Sequence, residues 1–171
     1  MSEPEAAAKA KKIRMEIRGL MLDPTSNVPI VVLRDVDNNV FLPIWIGVFE
    51  ANAIALRIEN VVPPRPMTHD LLRSALELTG VKVQKVVISD LQDNTFFALI
   101  HVDRGGELFR IDARPSDAIA LALRAEVPIF VLRPVLEKAK AVDLASAATD
   151  DEKLKKWLEE ISPEDLGKYT M

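Results

Sequence analysis

The 171-residue sequence contains no cysteine. Disulfides, thiolate metal centres and a cysteine nucleophile are therefore excluded, and a reducing compartment such as the cytoplasm suits the chain. Aromatic residues make up 5% of it, too few to build a stacking platform for single-stranded nucleic acid. No apolar run nears the roughly 18 residues needed to cross a bilayer. The opening residues, S-E-P-E-A-A-A-K-A-K-K, lack the apolar core of a secretion signal. A basic surplus is missing too: the net charge is −4, so a polyanion must meet a local basic feature. The expectation is a soluble cytoplasmic protein with no membrane partner. Its 49% apolar and 28% charged residues suit one compact folded domain plus tails.

Along the chain, residues 1–12 are small and charged and read as a flexible lead-in. Residues 13–22 alternate Ile13, Met15 and Ile17 against Arg14, Glu16 and Arg18, the period of a half-buried strand. The turn cluster Asp23-Pro24-Thr25-Ser26-Asn27 leads to a second strand over 28–33, and a third over 40–46 contains Pro43, which marks an edge or a bulge. A helix over 50–59 offers Ala51, Ile54, Ala55 and Ile58 as its apolar face, and three prolines then stiffen the connector 61–66. Thr68 is the expected N-cap of a helix whose stripe is Leu71, Leu72, Ala75, Leu76 and Leu78, closed by Gly80. Strands over 81–91, 95–102 and 106–112 follow, then a helix from Pro115 to Arg124 that is apolar nearly all round, then a strand from Ile129.

The order repeats at an offset of 65 residues. Ala53-Ile54-Ala55-Leu56 falls on Ala118-Ile119-Ala120-Leu121, Ile46 on Ile111, and Pro63 on Pro128. The fold expected is α+β: duplicated strand–strand–strand–helix units forming an antiparallel or mixed sheet packed with helices. Residues 13–134 form the domain, and 135–171 a linker plus an acidic amphipathic helix. In that helix Leu154, Trp157, Leu158 and Ile161 recur at helical spacing, so it is expected to dock on the core or on a partner subunit.

Two clusters share a grammar. Arg65-Pro66-Met67-Thr68-His69-Asp70 and Arg114-Pro115-Ser116-Asp117 each set Arg-Pro before a helix, then a hydroxyl and an acid in its first turn. Capping alone accounts for Thr68, Ser116, Asp70 and Asp117. Arg65 and Arg114 need more, because a cation at a helix N-terminus opposes the dipole and calls for an anionic partner. Asp70, Asp117, Glu50 or a phosphate can be that partner. His69 beside Asp70 can move protons. Glu50, Asp70, Asp112 and Asp117 could hold a hard divalent cation such as Mg²⁺ or Mn²⁺ if the fold brings them together. His101, on an apolar strand, is given no role.

Four motifs in order, L-P-I-W-I-G with E-A (residues 42–51), R-P-M-T-H-D-L (65–71), F-F-A-L-I (96–100) and D-A-R-P-S-D-A-I-A-L-A (112–122), resemble the bifunctional nuclease family. The resemblance implies an α+β domain, self-association as a dimer or higher homo-oligomer, and DNase and RNase activity of the kind some members have. The family's polar signature falls on Glu50, Arg65, Thr68, His69, Asp70, Asp112, Arg114, Ser116 and Asp117. On this reading Arg65 and Arg114 bind the scissile phosphate, His69 with Asp70 supplies acid–base chemistry, and Asp117 with Glu50 orients them or holds a metal. The alternative is a non-catalytic oligomeric module whose Arg–Asp clusters bind an anion or a protein.

Overall fold

The computed structural model describes residues 10–139 and 142–143. The expected helix over 149–161 lies outside them. The first three strands, β1 (Lys12–Leu22), β2 (Pro29–Asp35) and β3 (Val40–Trp45), form an antiparallel meander followed by helix α1 (Val48–Ile58). Helix α2 (Thr68–Leu78) comes next. A second meander, β4 (Val81–Gln92), β5 (Thr95–Arg104) and β6 (Glu107–Ala113), is followed by helix α3 (Pro115–Ala125). Strand β7 (Ile129–Leu132), the short helix α4 (Arg133–Lys138) and the two-residue strand β8 (Val142–Asp143) complete the described chain.

All eight strands join one sheet in the order β6-β5-β4-β7-β1-β2-β3-β8. The sheet is mixed, because β7 runs parallel to β4 and antiparallel to β1. Thus β7 stitches the two meanders together. Asp93 and Asn94 both take positive φ in the β4–β5 link, the geometry of a tight two-residue hairpin. Pro43, which lacks the ladder N–H, sits opposite Val32 on the outermost full strand of its half, where the expectation put it. The α+β class holds, and strand–strand–strand–helix does occur twice. The internal duplication itself remains an inference from the 65-residue offset.

Helix α3 is the hub. Pro115, Ser116, Ala118, Ile119, Ala120, Leu121, Ala122 and Arg124 are all buried, and its alanines leave room for α1 and α2 to pack closely against it. Two expected faces differ. On α1 the buried residues are Glu50, Ala53 and Ile54, whereas Ile58 is exposed. The helix is turned to bring Glu50 and Ala53 to α3. On α2 no residue is buried, and Leu71, Leu72 and Leu78 stand in solvent, because α2 is an outer layer packed chiefly on α3 and β4. Its N-cap is Met67 rather than Thr68: the Asp70 carboxylate accepts the Met67 N–H at 2.9 Å and takes over the capping work.

Candidate active site

The N-termini of α1, α2 and α3 converge on one cleft of ≈ 360 Å³, lined by Phe49, Glu50, Asn52, Ala53, Met67, Thr68, His69, Arg114 and Asp117. Three positive dipole ends therefore meet where the charged side chains gather. Pro115 presets φ at the first position of α3, which leaves Arg114 extended at the cap and Asp117 one turn further in. Asp117 joins the parts. Its Oδ1 lies 2.9 Å from His69 Nε2, and its Oδ2 accepts a hydrogen bond of 2.7 Å from Arg114 Nε. The other side of the guanidinium, Nη1, lies 3.0 Å from Glu50 Oε1.

The hydrogen bond from His69 holds the Asp117 carboxyl well below the usual carboxylate range, at about 2; burial opposes it and Arg114 reinforces it. Asp117 is then an acceptor only, so His69 Nε2 carries the hydrogen and donates. That fixes the ring and leaves Nδ1 as its second functional nitrogen. Hydrogen bonding to Asp117 keeps the Arg114 guanidinium firmly protonated, with Glu50 adding to the effect. Glu50 is 8% exposed, and its second oxygen, Oε2, is buried without a hydrogen-bond partner. A buried carboxylate oxygen left in that state is costly, and such atoms concentrate where function demands them.

The remaining sequence candidates are placed differently. Asp70 does not meet His69. It accepts 2.7 Å from Arg124 Nε, and the Met67 N–H and Arg124 together outweigh burial to keep its carboxyl below the usual range. Arg65 is exposed and does not line the cleft, so it is not paired with Arg114 around one anion. Asp112 is exposed on β6, opposite Leu99, and is likewise outside the cleft. Ser116 is fully buried and its Oγ has no partner, so it does not cap α3. Among the described residues no group of three or more His, Asp or Glu is arranged to hold a metal ion. Of the four carboxylates, Glu50 and Asp117 share Arg114 in the cleft, Asp70 is held by Arg124, and Asp112 stands apart.

Arg124 is the residue that sequence reasoning missed. It is 2% exposed and also donates to Ala120 O at 2.9 Å and to Ala53 O at 3.1 Å. The available signal was a lone cation ending a helix otherwise apolar from Ala118 onward.

A model of the bifunctional nuclease domain matches residues 31–143. The chain belongs to that family. Glu50, His69, Arg114 and Asp117 all fall inside the matched nuclease domain. An uncharacterized protein of Mycobacterium tuberculosis (strain H37Rv) is 39% identical over 161 residues, covering 89% of this chain and 96% of its own length. Bifunctional nuclease 1 of rice, Oryza sativa subsp. indica, is 26% identical over 116 residues, which is 66% of this chain and 35% of the plant protein. Bifunctional nuclease 1 of Arabidopsis thaliana is 28% identical over 107 residues, 60% of this chain and 33% of its own length. No helix among the described residues is long and apolar enough to cross a membrane.

Proposed function

We propose that this bifunctional nuclease domain hydrolyses phosphodiester bonds of DNA, RNA or both in the cleft between the three helix N-termini. One observation carries the reading: His69 is bonded to an ionised carboxylate that is itself bonded to Arg114, at the wall of a cleft that also holds Glu50. Arg114, with its side chain 42% exposed, stabilises charge that develops on the phosphate. Glu50, at the cleft wall, accepts a proton from the attacking water, and His69 delivers one from Nδ1 to the departing oxygen. The P–O bond to that oxygen breaks as the bond to water forms. Asp117 holds the ring through Nε2. Asp70 acts at one remove, by securing the turn that carries His69. No step is routed through a metal, because among the described residues no three His, Asp or Glu are grouped to hold one.

The domain also associates with copies of itself on this reading. Leu108, Phe109 and Ile111 on the edge strand β6 are exposed, as are Leu71, Leu72 and Leu78 on α2, the kind of apolar surface a second copy covers. A second reading is favoured by Arg114 being already matched by Glu50 and Asp117: a complete ion-pair network can be structural in a non-catalytic oligomeric module.

The deciding experiment measures DNA and RNA cleavage by purified wild type, His69→Ala and Arg114→Ala, with and without Mg²⁺ or Mn²⁺. Each substitution is expected to lower the rate by roughly 10²-fold or more. Cleavage at the wild-type rate by both variants would hand the case to the binding module.

A further inference from the structure

The cleft has a half that the chemistry above does not use. Residues 49, 52 and 53 lie on a single face of α1, at the three- and four-residue spacing that sets side chains beside one another. Phe49, Asn52 and Ala53 accordingly share one wall, and Met67 and Thr68 at the start of α2 extend it. Phe49 is 85% exposed, the highest value of any aromatic among the described residues, whereas Phe41 and Phe96 are buried. It belongs to no part of the core, so the fold has no use for the ring. Met67 is exposed too, and a thioether adapts readily to a flat aromatic surface. The Asn52 amide and the Thr68 hydroxyl make no hydrogen bond among the described residues, which leaves donors and acceptors available on the same wall.

What adjoins this wall sets what fits it. The Arg114 guanidinium lines the same cleft, and with three helix N-termini around it that half takes an anion. A ligand for both halves joins a flat apolar ring, edged with hydrogen-bonding groups, to a phosphate. A nucleotide has that chemistry. The cleft volume of ≈ 360 Å³ lies near the bottom of the range for ligand pockets, about 300–1,000 Å³, which suits one nucleotide rather than a base pair. Aromatics at 5% cannot stack a run of bases, but one ring suffices for one base.

We propose that Phe49, Asn52, Met67 and Thr68 form a nucleobase subsite, in which one unpaired base stacks on the Phe49 ring beside the phosphate held at Arg114. The subsite deepens the nuclease reading, on which the placing of the phosphate rests. Calorimetry on the full-length protein tests it with two probes, adenosine 5′-monophosphate and ribose 5-phosphate, which differ by the base alone. Wild type is expected to bind the nucleotide about 10-fold or more tightly than the sugar phosphate. Phe49→Ala should abolish that preference, Phe49→Tyr should keep it, and Arg114→Met should weaken both ligands alike. Because Phe49 is exposed, its substitutions leave the fold intact. Equal affinity for the two probes in wild type, no measurable binding of either, or an undiminished preference in Phe49→Ala overturns the subsite. So does a Phe49→Ala protein whose oligomeric state changes while both ligands weaken together, since the ring would then be a contact between copies. The two readings fail separately. Cleavage without a base preference sinks the subsite alone, whereas a Phe49-dependent preference in a protein that cleaves neither DNA nor RNA keeps the subsite and removes the nuclease.

Discussion

Two arginine–aspartate pairs hold the helical layer together, with the same chemistry and nearly the same geometry. Arg114 and Asp117 meet at 2.7 Å, and so do Arg124 and Asp70. They differ in what surrounds them. The Arg114 side chain is 42% exposed at the cleft, whereas that of Arg124 is 2% exposed. Arg124 also binds a carbonyl within α3 and another on α1, while its aspartate belongs to α2. One guanidinium thus clamps three helices, and the other faces a pocket. Burial and the remaining partners, not residue type, separate a structural pair from a working one. The two are also coupled. The Asp70 that Arg124 holds secures the turn preceding His69, so the clamp sets where the cleft's imidazole stands.

The comparison breaks most easily at Arg124. Arg124→Met strands Asp70 and two backbone carbonyls in a site built for charge, and should destabilise the protein by about 3–5 kcal/mol. Urea unfolding measures it; a loss below about 1 kcal/mol would mean the clamp holds nothing. Arg114→Met, the matching change at the exposed pair, is expected to cost clearly less, about 1–2 kcal/mol, most of it from the buried Glu50 carboxylate it leaves unpaired. Its effect should instead fall on cleavage, with a loss of about 10²-fold, equivalent to roughly 2.7 kcal/mol in the transition state. A reversed pattern, with Arg114 governing stability and Arg124 governing rate alone, would dissolve the distinction.

Periodicity carried most of the fold. The alternation of Ile13, Met15 and Ile17 made β1 legible, and the run from Ala118 to Leu123 marked α3 as buried. What failed were the choices that depend on a partner from elsewhere in the chain. Thr68 and Asp70 are both good caps by type, and only the presence of Arg124 and the Met67 N–H selects Asp70. The stripe on α2 reads as core, yet only Leu76 of it packs against the core, while Leu71, Leu72 and Leu78 stay outside. The same limit applied to the cleft. Arg114, Asp117, Glu50 and His69 were legible as candidates because charges at helix N-termini are conspicuous. That His69 chooses Asp117 over its neighbour Asp70 was not, since adjacent residues on a helix do not face each other.

The finest test of the exposed pair is its acid limb. The Asp117 carboxyl lies at about 2 in the folded protein against an ordinary 3.8. A depressed carboxyl contributes stability that is present above its unfolded value and is lost as pH falls through the folded one. The difference corresponds to roughly 2 kcal/mol, and solvent screening at a partly exposed site lowers that to about 1–2 kcal/mol. Wild type should therefore exceed Asp117→Asn by about that amount near neutral pH, with the gap closing between about pH 4 and pH 2. Denaturant titrations of both proteins at stepped pH read the gap directly. A gap that stays constant through that window would mean that His69 and Arg114 do not hold the Asp117 charge, and the cleft would lose the carboxylate that orients its imidazole.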